Sequence, residues 1–435
     1  MAKVLVAGAG IGGVMAAYRL AQNGFDVTVY EAKSYDKVTY DWHDDIAKDV
    51  FARVGLPQPD ESMRREKRNW TFVVPGSPKH LFVPLEVATD YTIMRRPLLH
   101  WLIGLAREAG AKFEFETTVG LWVKEDKVLG LAVGDHNVKA DLVIDCTGVD
   151  SRLREMVPEV YKIQQKPDQY EVFSAFRGFF ERNEGVEVPD HETNRAYLLH
   201  QGGKGISWCI ADPADKEVDI LIGRADGLDD NTLNVLLESL REDNPVLSDK
   251  LVSGGKVCRI PIRYPLTRMV ADGYVAIGDA AFMTIPMLGS GMAASLDAAQ
   301  ILSEVLVQHQ SVSKEALWHY QVRFFKQVGA DFCSVDVLKR WLLNCNPDDI
   351  RWVVDSGVLA ESDFGAVATG EPFKLTVKQT VQKACKGISR LHVLLAIAGV
   401  MKKGEKAKKV ALAIPEVYDE EAISRWEAKL HKFLK

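Results

Sequence analysis

The sequence predicts an α/β protein: a Rossmann-type domain, an inserted antiparallel β-sheet domain and a helical carboxy-terminal extension. Three observations support this. A strand, a glycine-rich turn, a helix and a second strand open the chain. Apolar residues alternate with period two in the middle segments. Apolar residues at helical spacing run from about Ser313 onward. With 435 residues, 47 % of them hydrophobic and 26 % charged, the composition is globular and the length suits more than one domain.

The opening unit is the most informative. Lys3–Ala7 is a short aliphatic run and reads as a buried strand. Gly8-Ala9-Gly10-Ile11-Gly12-Gly13 follows at once. The spacing of Val14, Ala17 and Leu20 predicts a helix from Val14 to Asn23, with Gly24 as its stop. Asp26–Tyr30 is the second strand, ended by Glu31. This is the dinucleotide fingerprint, and each part has a physical task. Gly8 permits the tight turn, Gly10 lets the backbone approach a pyrophosphate, and Gly13 lets the helix pack on the strand; Gly12 belongs to the same loop. The helix amino terminus offers unpaired N–H groups and a positive dipole end. Glu31 can accept hydrogen bonds from ribose hydroxyls and would repel a 2′-phosphate. The bland alternative is a glycine turn without a ligand, which the register of both strands, helix and acid disfavours. The fingerprint does not choose between NAD and FAD.

Two later motifs bear on that choice. Leu142-Val143-Ile144-Asp145 leads into Cys146-Thr147-Gly148, an apolar strand meeting a small turn. Tyr274-Val275-Ala276-Ile277 leads into Gly278-Asp279-Ala280-Ala281. Pro286-Met287-Leu288-Gly289-Ser290-Gly291-Met292 follows, then an apolar helix from Ala293 to Leu306. Over Lys3 to about Val307 these motifs resemble the FAD-binding superfamily of p-hydroxybenzoate hydroxylase-like monooxygenases and geranylgeranyl reductase-like oxidoreductases. The resemblance implies FAD as cofactor. It implies that Asp279 contacts the ribityl chain and that Leu288, Gly289, Ser290, Gly291 and Met292 face the flavin pyrimidine edge. It places Thr147 and Gly148 in the middle motif, often Ala-Asp-Gly in the family. It also places Arg95, at the head of a helix after Tyr91-Thr92-Ile93-Met94, on the ribose or pyrophosphate, with Arg96 as the alternative one residue on.

Within that superfamily the segment Ile285 to Gly291, and Arg259-Ile260-Pro261-Ile262 before it, look more like the geranylgeranyl reductase group. Prenyl reductases of this group carry a Pro-x-x-Cys segment in the loop after the first acid; this chain has Tyr40-Asp41-Trp42-His43-Asp44-Asp45 there. His43, flanked by carboxylates, reads as a general acid, with Asp44 as its partner. The bland reading makes Asp44 or Asp45 the cap of a helix over Ile46–Val54, with His43 incidental, and it is the preferred one of the two. The expected reaction is hydride exchange between flavin N5 and a carbon–carbon double bond of an apolar substrate. The alternative is a monooxygenase that hydroxylates an aromatic or similar substrate through a C4a-hydroperoxide.

The resulting division assigns residues 1–53, 90–164 and 256–312 to a discontinuous FAD-binding domain, 54–89 and 165–255 to a substrate-binding sheet, and 313–435 to helices. Phe173, Phe179, Tyr197 and Trp208 are candidate wall residues, each more simply read as sheet core. No second glycine fingerprint follows a strand, so the electron donor (NAD(P)H, ferredoxin or another carrier) is expected to reach the flavin without a dedicated domain. The six cysteines form no CxxC pair, which excludes a disulfide framework and a zinc pattern; no metal site is expected. Net charge is −6, which gives no nucleic-acid footprint. Glu371–Lys435 nevertheless carries 14 Lys/Arg against 7 Asp/Glu, leaving −13 on the remainder. An apolar stretch over Ile388–Val400 followed by Lys402, Lys403, Lys406, Lys408 and Lys409 has the composition of an interfacial helix. A helix packed on the body with a solvated lysine face is the preferred reading. The expected location is cytoplasmic, with peripheral membrane contact as the alternative.

Overall fold

The structure, a computed structural model, describes residues 2–66, 69–84, 90–213, 215–358 and 390–434. Lys3–Ala7 lies inside a six-stranded sheet, between Asp26–Tyr30 and Leu142–Asp145. Tyr274–Ala276 and Val270–Ala271 extend the sheet on one side and Lys112–Glu114 on the other. All neighbours are parallel except the Val270–Ala271 edge. Val4, Leu5, Val6 and Ala7 are fully buried: the helix Ile11–Gln22 packs on the parallel sheet, and so does Lys127–Val133, the middle strand of a three-stranded antiparallel sheet with Val119–Lys124 and His136–Lys139. The registers Ala7 to Tyr30, Ala7 to Asp145 and Asp145 to Ala276 bring the carboxyl ends of these strands to one edge. That edge is where open α/β sheets bind ligands. The first helix runs Ile11–Gln22, three residues earlier than its apolar spacing predicts, because Gly12 and Gly13 form its opening turn with Gly10 at the cap.

A seven-stranded sheet faces this edge. Its order is Leu247–Pro261, Val172–Arg182, Glu217–Arg224, Gly205–Ile210, Asn194–Leu198, Trp70–Val73 and Leu81–Val83. It is antiparallel except that Asn194–Leu198 and Trp70–Val73 run parallel. The purely antiparallel expectation fails there because these two strands come from segments distant in the chain. The strand Leu247–Pro261 also runs through position 256, where a domain boundary was expected.

The segment at 43–47 departs further from expectation. His43–Ala47 is a strand, not a helix start. It pairs with Asp90–Met94 from His43–Met94 to Ala47–Asp90, and Arg64–Glu66 pairs on the other side. The sequence His-Asp-Asp has little intrinsic strand preference, so tertiary pairing decides. The helix that follows is only Asp49–Arg53, preceded by Lys48 with no side-chain cap bond. Asp44 and Asp45 therefore cap nothing and are held in a ladder.

Helices complete the chain. Met292–His309 and Lys314–Phe324 pack beside the parallel sheet, and Ala330–Leu343 and Pro347–Asp355 follow. Leu391–Leu412 lies against Ala330–Leu343, burying Val393, Gly404, Ala407 and Ala411. Lys402, Lys403, Lys406 and Lys409 face outward. This is the packed-helix arrangement expected as the simpler reading. Glu420–Leu434 buries Ile423, Trp426, Leu430 and Leu434, and Arg268 ties it down through Glu420 and Glu427 at 2.7 and 2.9 Å. Among the described residues no helix is long and apolar enough to cross a membrane. The first part of the basic tail, up to position 389, lies outside the described residues.

A Cβ at Gly404 would stand 2.9 Å from Ser334 Oγ and 3.2 Å from its carbonyl. Gly404→Val should force the two helices apart and cost about 1–3 kcal/mol. Thermal unfolding should show the lower Tm, with bound cofactor unchanged below the transition.

Candidate active site

The glycine turn is shaped by the strand end beside it. Gly8 has φ +92°, and a methyl there would run into the Cys146 carbonyl. A Cβ at Gly13 would meet Gly8 O at 2.5 Å and Cys146 Sγ at 3.1 Å. The middle motif therefore packs directly under the first. Glu31 braces the first turn: its carboxylate accepts from the backbone N–H groups of Ala9 and Lys33, each at 2.8 Å. Buried Asp145 does the same for the second turn, accepting from Thr147 N at 3.0 Å, Thr147 Oγ1 at 2.7 Å and Tyr274 OH at 2.8 Å.

These turns open onto a cavity of about 770 Å³ between the two large sheets. Gly8, Gly10, Gly12, Glu31, Thr147 and Gly148 line it; Gly13 lies beneath, in the packing layer. No atom stands within 4 Å of where a Gly148 Cβ would be, and Gly10 is nearly as open. The far wall begins at Asp279, whose Oδ1 accepts from Thr284 Oγ1 at 2.9 Å; burial pushes its carboxyl up. Leu288, Gly289, Ser290, Gly291 and Met292 complete that wall. A Cβ at Gly291 would stand 2.8 Å from Thr284 Oγ1. Gly289 N donates to Ile285 O at 2.9 Å, so its N–H serves the loop itself. Ser290 Oγ donates to the Asp45 carbonyl at 3.1 Å, fastening the loop to the His43–Ala47 strand. The N–H groups that open the Met292–His309 helix have no intrahelical acceptors and carry its positive dipole end.

The third side of the cavity is polar and tightly bonded. Arg177, 3 % exposed, donates from Nε and Nη2 to Asp219 at 3.0 and 2.7 Å and from Nη1 to Asp44 at 2.9 Å. Asp44 also accepts from Arg95 Nη1 at 2.7 Å and Trp42 Nε1 at 3.3 Å. His43 Nε2 lies 3.1 Å from Asp219 Oδ2, and its ring meets Phe179 edge-on at 5.8 Å. Burial alone would raise the Asp219 carboxyl, but Arg177 and the hydrogen bond to His43 hold it well below the usual carboxylate range. Burial likewise opposes the Arg177 charge, and Asp219 and Asp44 outweigh it. Arg95 thus lines the cavity paired with Asp44, whereas Arg96 pairs with Asp41 at 3.0 Å.

Apolar groups cover much of the remaining walls, alongside Arg65, Glu66, Asp90, Asp212 and Arg259. Of the four expected wall aromatics, Phe173 and Trp208 line the cavity. Tyr197 sits in the core behind the sheet, hydrogen-bonded to Asn244 at 2.9 Å, and Phe179 packs with Trp42. Trp42 stacks on Tyr40 at 4.1 Å. Burial pushes the Tyr40 phenol up to about 12 and the Cys258 thiol to about 11, so both stay neutral donors at ordinary pH.

A family model described as an FAD binding domain matches residues 1–321. The chain belongs to this family. FAD is its cofactor, and the protein is an FAD-dependent oxidoreductase. It is 22 % identical over 433 residues to the digeranylgeranylglycerophospholipid reductase of Sulfolobus acidocaldarius, covering 95 % of this chain and 93 % of that one. It is 27 % identical over 412 residues to digeranylgeranylglycerophospholipid reductase 2 of Methanopyrus kandleri, covering 91 % and 98 %. A geranylgeranyl bacteriochlorophyll reductase-like protein from Thermoplasma acidophilum shares the fold with a TM-score of 0.73 at 17 % identity, over 92 % of this chain and 99 % of that one. A flavin-dependent brominase shares it with a TM-score of 0.61 at 14 % identity, over 86 % and 94 %.

The residues present fit FAD. The open backbone at Gly10 and Gly148, the helix amino termini on two sides and a cavity of cofactor size supply the shape and partial charges a dinucleotide needs. Bound there, FAD supplies two-electron hydride chemistry.

Sequence reasoning named His43 and Asp44 and placed Asp145 at the head of the middle motif, but missed Arg177 and Asp219. The signal was there: Phe176-Arg177-Gly178 and Val218-Asp219-Ile220 each set one charge within an apolar strand. Replacing Arg177 by Leu should leave two carboxylates without their shared cation and cost about 3–5 kcal/mol. The pH dependence has a definite sign. A carboxyl depressed in the folded state stabilises above its unfolded value, about 3.9, and loses that contribution as pH falls through the folded value. Arg177→Leu should therefore move the acid-unfolding midpoint, followed by circular dichroism, to higher pH than in the parent.

Proposed function

We propose that this protein is an FAD-dependent reductase of carbon–carbon double bonds in an unsaturated, apolar substrate with isoprenoid-type chains. The observation that carries the reading is an apolar cavity continuous with the dinucleotide cradle, in whose wall one imidazole is fixed by a buried carboxylate. The names of the reductases to which the chain is similar support the substrate class. Trp42, Phe173, Ala175, Ile206 and Leu221 exclude water and accept a hydrocarbon chain. His43 holds the proton that one carbon of the double bond receives. Asp219 fixes the ring with Nε2 toward the sheet, and Arg177 keeps Asp219 ionised, so His43 stays oriented through the exchange. Asp44 steadies Arg95 and the Trp42 indole beside it. The electron donor is a nicotinamide nucleotide or a protein carrier acting directly on the cofactor, since the cavity has no second nucleotide cradle among its described lining residues.

For the tail, Leu391 and Leu395 are 57 % and 65 % exposed on the helix that later presents its lysines, and we propose this stripe as a peripheral contact for anionic lipid. It would bring a lipid substrate near the protein without a membrane span.

His43→Ala should lower turnover about 10²–10⁴-fold while FAD content stays at the parent level. The measurement is anaerobic oxidation of the chemically reduced enzyme by an acyclic isoprenoid. Parent-level turnover in the variant would remove His43 from the reaction, and turnover that requires oxygen would favour hydroxylation over reduction.

A further inference from the structure

One buried charge behind the cofactor cradle has no counter-ion. Five arginines are buried among the described residues: Arg154, Arg177, Arg195, Arg263 and Arg268. Arg177 pairs with Asp219 and Asp44, Arg195 with Glu192, Arg263 with Glu171, and Arg268 with Glu420 and Glu427. Arg154, 1 % exposed, has no carboxylate among the described residues in ion-pair contact. Three backbone carbonyls accept its N–H groups instead: Gln165 O from Nε at 3.0 Å, Ala280 O from Nη1 at 2.7 Å and Val149 O from Nη2 at 2.7 Å. Its Cζ stands 4.9 Å from the centre of the Phe282 ring. Carbonyls and a ring face satisfy the donors but leave the charge in place, and a guanidinium does not shed its proton. Burial opposes that charge, and Tyr274, Asp145, Asp150 and Glu155 act on it only at longer range. Asp145 is itself held by Thr147, Ser151 and Tyr274, and Arg263, which shares the Phe282 ring, is matched by Glu171.

Val149 follows Thr147-Gly148 in the middle motif, and Ala280 follows Gly278-Asp279 in the third; Thr147, Gly148, Gly278 and Asp279 line the cofactor cavity. One guanidinium therefore spans the back of both turns. Its action on a cofactor needs no contact, because salt screens exposed charges beyond about 8–10 Å but buried ones much less. We propose that Arg154 is a redox-poising residue, whose unmatched buried charge favours the reduced form of the bound FAD over the oxidised form. The oxidised isoalloxazine ring is neutral. Two electrons from the reductant and one proton from solvent make it a monoanion, and a second proton makes it neutral again. A fixed cation behind the cradle stabilises the monoanion. It thereby raises the potential and lowers the pH at which the second proton leaves. This role depends on bound FAD alone and not on the identity of the substrate.

The test is the midpoint potential of the holoenzyme against pH, by anaerobic reductive titration with a reference dye. Arg154→Met and Arg154→Gln remove the charge, and Gln keeps amide donors for the carbonyls. Arg154→Lys keeps the charge and loses the three-way fork. The potential falls about 30 mV per pH unit where reduction takes up one proton, and twice as steeply where it takes up two. On the one-proton side of this break, both neutral variants should shift the balance roughly tenfold or more toward oxidised FAD, a fall of about 30 mV. The break itself should move to higher pH. Arg154→Lys should stay near the parent on both counts. An unchanged potential in the neutral variants would overturn the proposal, as would a fall of equal size on both sides of the break. So would an equal fall in Arg154→Lys, since the carbonyl bonds and not the charge would then matter. Should one neutral variant fail to hold FAD, the other decides; failure of both overturns the proposal.

Discussion

A single buried guanidinium sets the distance between the two halves of the site. Arg177 belongs to the seven-stranded sheet, and two of its donors stay within that sheet, on Asp219. The third crosses to Asp44 in the small sheet, and Asp44 passes the contact on to Arg95 at the head of the Arg95–Glu108 helix. Two cations thus alternate with two anions, and the chain of contacts carries no net charge. Each charge taken from water is costly, and the cost is offset only when every partner is in place. The cluster therefore tolerates little displacement, and the sheet face is held over the nucleotide cradle at one separation.

That constraint explains why the His43–Ala47 strand exists. Its residues gain little as a strand on intrinsic grounds, yet the ladder to Asp90–Met94 presents His43 to Asp219 and Asp44 to two arginines together. A helix start there would have turned one of the two away. Ser290 closes the arrangement from the cofactor side through the Asp45 carbonyl. The polar wall and the glycine-rich loop are thereby parts of one hydrogen-bonded unit.

Much of this fold is written in local sequence. The strands Lys3–Ala7 and Asp26–Tyr30, the glycine turn between them and the strand ends at Asp145 and Ala276 follow from runs, turns and spacing that need no distant partner. The cavity residues named from those motifs do converge, because parallel register brings strand ends together whatever lies between. What was not legible depends on pairing between remote segments. The parallel contact of Asn194–Leu198 with Trp70–Val73, and the strand at His43, have no local signature. Arg177 and Asp219 lie more than forty positions apart, and their strands pair Arg177 with Leu221 and Phe179 with Asp219. Each alone reads as an odd charge in an apolar strand; only the register makes them a pair.

Reductases and halogenating enzymes share this architecture, so the fold cannot choose among chemistries and the choice rests on the side chains facing the cofactor. Here they combine hydrocarbon walls with one imidazole bonded to a carboxylate that is kept ionised. The phenol and thiol nearby are held neutral by burial. A site that forms a C–H bond at an apolar carbon needs this pairing. In the proposed reduction, dry walls would position a chain that offers few hydrogen bonds, and a single oriented donor would supply the proton at a defined atom. Hydroxylating an aromatic ring would instead call for polar groups that grip and ionise the ring substituent.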